Sequence, residues 1–387
     1  MIAIKNWIDN NLKGDPIIWG IVFLLAILSI LVVYSATGTL AYRKMGGNTE
    51  VYLIKHSSLV VLSLVVMWAS HKIPYKYFAK LSLLALWVSV PLLAFTYFFG
   101  SNVNEASRWI TIPIIDQAFQ PSDLAKLSLI AAVAGMLSKR QRNIRDFQHT
   151  FIPIMIWIGL ICLFIAMANM STAVLLLATC LLLMFIGRVP MKFLMMVCLV
   201  GVLALTAAVF LGQRGGTFVS RIESFVSDDE IPYQAKHSYI AIATGGVTGK
   251  GPGNSDQRNF LPHPYSDFIF AIIIEEYGLI GGGFVLFLYL ALLYRGMRVV
   301  AISTRPFGGL LSAGLSFALV IQAMVNMAVA VGIAPITGLP LPLLSMGGTS
   351  LLFTGISLGI ILSISRGDHE DAYPIEVNTG RRMAKVA

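Results

Sequence analysis

Charge is what this chain has least of. Of its 387 residues, 12% are Asp, Glu, Lys or Arg and 57% are hydrophobic. A water-soluble domain carries about 25% charged and about 45–50% apolar residues. So little charge cannot cover a surface in water, which excludes a set of soluble domains and leaves lipid as the solvent. Cysteine is scarce too. Cys162, Cys180 and Cys198 each sit inside an apolar run, with no CxxC pair or metal-ligand spacing, which argues against a disulfide or zinc framework. They read as small hydrophobes. There is no short apolar stretch followed by a small-residue cleavage site at the N-terminus, so the first long apolar run reads as a membrane span. Internal repeats, low-complexity segments and the inverted symmetry of many transporters are also missing.

What is present is a series of apolar runs and a basic excess. A span needs about 20 apolar residues to cross roughly 30 Å of hydrocarbon. Ten such runs are expected near 16–36, 54–70, 78–99, 121–138, 151–168, 171–187, 190–212, 267–293, 308–331 and 349–365, giving an all-α polytopic membrane protein. Breaks at Asn169-Met170-Ser171 and Gly187-Arg188-Val189-Pro190 divide the most continuous stretch. The mean hydropathy is +0.78, and 28 Lys and Arg against 19 Asp and Glu give a net charge of +9. In a soluble chain that balance would point to nucleic acid; here it follows from basic residues gathering in cytoplasmic loops. Lys72, Lys76 and Lys80, then Lys139 to Arg145, Arg188 and Lys192, and Arg295 to Arg305 fall in alternate loops, with both basic termini on the same side. The positive-inside rule therefore puts both termini in the cytoplasm. The expected division is a cytoplasmic segment 1–15, a membrane domain 16–366 containing an outer loop 213–266, and a disordered cytoplasmic tail 367–387. The first dozen residues read equally as an interfacial helix or a frayed end.

Three outer segments carry the chemistry. The first runs Asn104-Glu105-Ala106-Ser107-Arg108-Trp109-Ile110, then Phe119-Gln120-Pro121-Ser122-Asp123-Leu124-Ala125-Lys126-Leu127. Pro121 suits the first turn of a helix that Gln120 or Ser122 would cap. Asp123 and Lys126, three apart, share a face. Lys126 either snorkels to the surface or faces a wet cavity with an anionic partner. The second segment is the long outer loop. It has a charge-alternating stretch at Ser220–Glu230 that suits a surface helix, then Gly245-Gly246-Val247-Thr248-Gly249-Lys250-Gly251-Pro252-Gly253, Arg258, and Phe260-Leu261-Pro262-His263-Pro264-Tyr265-Ser266-Asp267. Glycine at this density permits close backbone approach or exposes amides to an anion, and it lacks the spacing of a phosphate-binding P-loop. Asp267 opens a span, as a helix cap or as a reactive carboxylate; Glu275 and Glu276 follow about two turns deeper, either as reactive groups or in packing. The third segment, Asn326 to Leu352, holds Gly332, Pro335, Gly338, Pro340, Pro342, Ser345, Gly347, Gly348 and Thr349. It is apolar yet cannot form a clean helix, so it is expected to line a cavity.

From about Pro16 to Arg366 the chain resembles the SEDS family (shape, elongation, division and sporulation), whose FtsW- and RodA-type members are membrane glycosyltransferases. Arg108-Trp109 with Phe119 to Leu127 is similar to the family's RW…FQPSELAKL; Phe260-Leu261-Pro262 through Asp267-Phe268-Ile269-Phe270 and Glu275-Glu276-Tyr277-Gly278 to its LPE-x-HTDFIF…EE-x-G; Pro335 to Ser350 to its P-x-TG-x-PLP…S-x-GG-[ST]-S. The last stretch resembles the division-type FtsW branch more than the elongation-type RodA branch. His263 stands where the family usually has glutamate, Tyr265-Ser266 replaces His-Thr, Asn169 occupies a commonly acidic place, and Asp123 replaces glutamate.

The resemblance implies polymerisation of lipid II, the undecaprenyl-pyrophosphate-linked disaccharide-pentapeptide, at the outer face of the cytoplasmic membrane. Asp267 would be the general base. Arg108 and Lys126, helped by Lys250 and Arg258, would stabilise the departing pyrophosphate. Asp123, Glu275, Glu276, Ser345 and Thr349 complete the expected substrate site, and Lys126 could pair with Asp267 in the empty site. A divalent cation, Mg2+ or Mn2+, could bridge the pyrophosphate, although the sequence offers no metal cage. Expected partners are a class B penicillin-binding protein transpeptidase and other division or elongation machinery, with no nucleic acid. A lipid II flippase and a non-catalytic scaffold that recruits the transpeptidase are the competing readings.

Overall fold

The computed structural model describes residues 11–38, 40, 49–99, 101–103, 106–112, 117–211, 215–226 and 231–372. Most of the expected interfacial segment (1–10) and the end of the expected tail (373–387) lie outside the described residues. Twelve helices organise the described chain: α1 Pro16–Ala36, α2 Glu50–Lys72, α3 Phe78–Phe99, α4 Pro121–Lys139, α5 Ile152–Ala168, α6 Met170–Ile186, α7 Met191–Leu211, α8 Gly215–Val226, α9 Tyr233–Gly245, α10 Ile269–Ile302, α11 Pro306–Ala330 and α12 Thr349–Ala372. Each expected span coincides with one of them, and α8 and α9 belong to the outer loop. Seven described helices are long and apolar enough to cross a membrane; Met170–Ile186 and Met191–Leu203 are shorter apolar helices, and α4 carries Asp123, Lys126 and Lys139.

Local chemistry sets the helix ends. Asp15 caps α1 by accepting from the Ile17 and Ile18 amides at 2.9 and 3.3 Å, ahead of Pro16 at the first turn. Asn169 breaks the run between α5 and α6, its Oδ1 accepting from Thr172 N at 3.4 Å. Pro121 opens α4, but the expected side-chain cap is not made. Gln120 occupies the cap position and turns its amide to the Ser122 hydroxyl at 2.9 Å instead. α12 extends at least to Ala372, so residues 367–372, expected to open a disordered tail, are helical.

One feature departs from the helical pattern. Between α3 and α4 lies a small antiparallel ribbon, β1 Ser101–Val103, β2 Ala106–Ile112 and β3 Gln117–Phe119, with Val103 opposite Ala106 and Ile110 opposite Phe119. Its short β-branched and aromatic run, Trp109-Ile110-Thr111-Ile112, favours strand over helix.

Helix packing follows membrane rules. α12 carries Gly355 and Gly359, four apart, against α2. A Cβ on Gly355 would lie 2.5 Å from Ser63 O, and one on Gly359 would lie 2.4 Å from Met67 O. This small-residue spacing lets the two backbones touch, and the Ser63 hydroxyl donates across the seam to Leu351 O at 2.6 Å. The interior is apolar, with Leu129, Ile158, Phe268 and Tyr289 fully enclosed, whereas Leu84, Trp87, Phe98, Met195 and Phe287 are exposed. So many large apolar residues exposed together make a surface suited to lipid.

The basic ends gather. Arg295 Nε, late in α10, donates to Asp15 at 2.8 Å, and Arg366 Nη2, late in α12, donates to Lys72 O at 3.2 Å. The starts of α4, α10 and α12, with the segments leading into them, form the other end.

Candidate active site

At that other end lies a cleft of about 610 Å³, whose walls include Asp123, Lys126, Asp267 and much of the Ile336–Ser350 stretch. Each wall is held by identifiable bonds.

Asp267 stands just before α10. The helix cap falls on Phe268, which has no side-chain acceptor, so Asp267 is left outside the helix. Its Oδ1 accepts from the Ser266 hydroxyl at 2.9 Å, and its main-chain oxygen accepts from Asn326 Nδ2 at 2.8 Å. Beside it, burial foremost, with Tyr52 and Asp267 nearby, pushes the Tyr265 phenol above its ordinary pKa. Tyr265 therefore remains a neutral donor.

Across the cleft, Lys126 pairs with Asp123 at 2.8 Å. Its partner is thus one turn away on its own helix, where the sequence also allowed a pair with Asp267. Asp123 is 4% exposed, and its second carboxylate oxygen has no hydrogen-bond partner among the described residues.

The Pro- and Gly-rich wall solves a membrane problem. Irregular backbone at this depth needs its carbonyls satisfied by protein, and surrounding side chains do so. Asn326 Nδ2 donates to Leu339 O at 2.7 Å, Gln322 Nε2 to Pro340 O at 2.8 Å, Ser29 Oγ to Leu344 O at 3.0 Å and Arg221 Nη1 to Ile336 O at 3.2 Å; Tyr289 Oη donates to Pro342 O. Ser345 ties this wall to the acid: its hydroxyl donates to Ser266 O at 2.6 Å and accepts from Leu341 N at 2.7 Å. Thr349 accepts from Gln120 N at 3.3 Å, joining the starts of α4 and α12. Ser345 and Thr349 thus hold the walls in place, and neither side chain lines the cleft.

Lys250, Arg258, Glu275 and Glu276 do not line the cleft either. They form a separate polar clamp. The buried Glu275 carboxylate accepts from Lys250 Nζ at 2.7 Å, from Asp256 N at 3.1 Å and Gln257 N at 3.2 Å, and from the Ser255 hydroxyl. Glu276 accepts from the Ser35 hydroxyl, which together with Ser35 O also receives Arg258 Nη1 at 3.1 Å. Burial pulls the Lys250 pKa down, but hydrogen bonds to Glu275 and Asp256 outweigh it and hold the ammonium above its ordinary value.

The glycine-rich stretch serves the same clamp. Gly278 interrupts α10 with φ 69° and ψ −172°, and the loop is spliced into the gap. Lys250 N and Gly251 N donate to Glu275 O and Glu276 O, while Leu279 N and Ile280 N donate to Gly246 O and Val247 O, all at 2.9–3.3 Å. A Cβ on Gly278 would meet Val247 O at 2.1 Å, and one on Gly249 would meet Glu276 O at 2.2 Å. Gly245 and Gly249 thus give their close approach to the α10 backbone, and Gly278 gives its own to the loop.

The side chain of Arg108 lies outside the described residues; its backbone is in β2. Lys55, Arg221, Gln234 and Gln322 also line the cleft, and sequence reading did not single them out. Arg221 had the only usable signal, its place in the charge-alternating stretch that forms α8 up to Val226; residues 227–230 of that stretch lie outside the described residues. Among the described residues, no group of three His, Cys, Asp or Glu is placed to hold a metal. The cleft can therefore offer a half-buried carboxylate facing cations within a space large enough for a small organic headgroup.

Comparison with known proteins agrees with this architecture. The family model described as cell cycle protein, covering FtsW, RodA and SpoVE, matches residues 15–370. A probable peptidoglycan glycosyltransferase FtsW of Geobacter sp. strain M18 is 31% identical, over 91% of this chain and 96% of that protein. The stage V sporulation protein E of Bacillus subtilis strain 168 is 30% identical, over 89% and 95%. Among solved structures, a chain from a study of how a peptidoglycan synthase complex coordinates polymerization and crosslinking aligns with a TM-score of 0.72 at 25% identity, covering 92% of this chain and 99% of that one. The Thermus thermophilus rod shape determining protein RodA aligns with a TM-score of 0.67 at 25% identity, covering 94% and 99%. With its helical membrane fold and a carboxylate cleft at one end of the bundle, the chain belongs to the FtsW/RodA/SpoVE family of cell cycle proteins.

Proposed function

We propose that this protein is a peptidoglycan glycosyltransferase that polymerises lipid II at the outer face of the cytoplasmic membrane, serving septal wall synthesis in division. The observation that carries the reading is the convergence of Asp267 and the Asp123–Lys126 pair on one cleft, at the bundle end away from Arg295 and Arg366. A polyprenyl substrate keeps its tail in lipid while its sugar is handled at the water boundary, and a cleft at a bundle end suits that division. Ten crossings with both termini cytoplasmic is the topology that goes with this reading. A helix at each of the ten segments and the grouping of basic residues at one end support it.

In the reaction, the acceptor sugar hydroxyl attacks the anomeric carbon of the donor. Its proton passes to the Asp267 carboxylate as the bond to the pyrophosphate oxygen breaks. A positioned base contributes a factor of roughly 10²–10⁴. Lys126, with Lys55 and Arg221 on the same walls, stabilises the charge that collects on the leaving pyrophosphate. Asp123 holds Lys126 forward, and Asn326 and Ser345 fix the backbone on either side of the base. Asp267 and Asp123 are the carboxylates that would hold a divalent cation here, and it would supply positive charge to the departing pyrophosphate. A class B transpeptidase is the natural partner, since new strands need crosslinking; the synthase complex among the structural relatives couples the same two activities.

The test is lipid II polymerisation by the purified protein with its cognate transpeptidase present. Asp267→Asn is expected to lower the rate by about 10²–10⁴ while leaving expression and thermal unfolding in detergent unchanged. Polymerisation within tenfold of wild type removes Asp267 as the base.

A further inference from the structure

Beside the cleft lies a second cavity of about 600 Å³, walled by α8, α9 and the chain from Val329 to Ile336. The two cavities share Arg221, Gln234 and Ile336. The hydrogen bond from Arg221 to Ile336 O is therefore part of the partition between them.

The walls of this chamber are unusual for a helix beside apolar chain. Thr217, Ser220, Arg221 and Ser224 all line it, and they fall at i, i+3, i+4 and i+7, one face of α8. An amphipathic helix ordinarily turns its apolar stripe inward. Here three hydroxyls and a guanidinium line the cavity together with Phe225, while Ile222 and Val226 are 40% and 76% exposed. Across from them, Tyr239 packs over Gly332, where φ is +82° and a Cβ would meet its hydroxyl oxygen at 2.8 Å. Tyr233, also on the wall, is braced by His237 at 4.3 Å between ring centroids. His237 in turn stacks on Phe260 at 5.1 Å and 4° and is pinned to Gln257 at 2.7 Å.

A row of hydroxyls facing fixed aromatic rings matches a sugar. A pyranose has an apolar C–H face, drawn to the negative face of an aromatic ring, and an edge of hydroxyl and acetamido groups that seek hydrogen bonds. The volume falls within the range of small-molecule sites. We propose that this chamber seats an N-acetylated pyranose unit of the glycan strand, next along from the sugar reacting at Asp267, with Arg221 at the passage between the two. The inference rests on the polymerase reading above. Its function is retention: a strand held one unit back from the reacting sugar stays on the enzyme between additions.

The experiment measures mean strand length and the rate of the first coupling, two lipid II molecules joined into one, with wild type, Ser224→Trp, which fills the chamber, and Tyr233→Ala, which removes the braced ring. Neither side chain lines the Asp267 cleft. Strand length is expected to fall at least about threefold more than the first coupling does in both variants, with Tyr233→Phe recovering more than half of the lost length. Wild-type strand lengths in both variants overturn the proposal, as does a parallel loss of length and first coupling. Failure of the underlying reading looks different, because wild type itself then shows no first coupling, and this inference falls with it.

Discussion

Glu275→Gln separates a structural clamp from a catalytic acid. The wild-type carboxylate uses both oxygens: Oε1 receives Lys250 Nζ and Asp256 N, and Oε2 receives Ser255 Oγ and Gln257 N. A glutamine of the same shape keeps one acceptor and turns an NH2 toward the other pair. If that pair is Ser255 and Gln257, the serine hydroxyl can rotate to accept, but the Gln257 amide loses its partner. Hydrogen bonds to charged groups are worth about 1.5–3 kcal/mol each. The ion pair with Lys250 disappears as well, discounted because the Lys250 side chain is 26% exposed and falls back on Asp256 and water. The expected loss is about 2–4 kcal/mol for local opening of the 250–257 loop, on the order of 10²-fold faster amide exchange at about 1.4 kcal/mol per decade. Hydrogen exchange of peptides spanning this loop, in detergent or nanodiscs, reads it directly. Exchange within about twofold of wild type refutes the clamp. Loss of polymerisation with unchanged exchange refutes it equally, because Glu275 would then be acting on substrate.

Gly278→Ala places a Cβ 2.1 Å from Val247 O at a φ of 69°; strain alone costs about 1–3 kcal/mol, so detergent melting should drop clearly, and an unchanged melt would mean the splice is absent. Asn326→Leu strips donors from Asp267 O and Leu339 O. At about 1–3 kcal/mol per unsatisfied buried carbonyl, both melting temperature and kcat should fall, and retention of both would show that the base is positioned otherwise. The Asp256 carboxyl is held below its ordinary pKa chiefly by its hydrogen bond from Lys250. A depressed folded pKa means its contribution is present above the ordinary aspartate range and is lost as pH falls through the folded value. Loop protection, corrected for intrinsic exchange, should weaken only in acid below that range, and Asp256→Asn should remove the dependence; a transition near neutral pH contradicts this.

Much of the bundle was legible because apolar runs of span length leave the backbone one option in lipid. Asp123, Lys126, Asp267 and the Pro335–Ser350 wall could be placed together for a related reason. A charge or a broken helix at membrane depth is costly unless protein groups or a wet cavity satisfy it, so each stands out in the sequence, and the family resemblance then grouped these with Asp267. The same cost flagged Glu275 and Glu276, which protein groups satisfy away from the cleft. The clamp was hidden for the opposite reason. Lys250 and Glu275 are 25 residues apart, and their pairing depends on a loop folding back into a helix gap that only the Gly278 backbone reveals. The glycines pointed to close approach, as expected, but could not say what would approach. Arg221, Lys55 and Asn326 reach the cleft region from distant segments, and no local spacing marks a contact made across so much chain.

The splice at Gly278 also decides how force travels. Because loop amides and carbonyls replace the helix's own ladder there, the stub from Ile269 to Tyr277, about 13 Å at 1.5 Å per residue, is joined to the long shaft below through the outer loop, which makes two main-chain bonds to each side. The acid therefore takes its bearing from two sides, from the outer loop through this stub and from the membrane helices through Asn326 and the wall that Ser345 anchors.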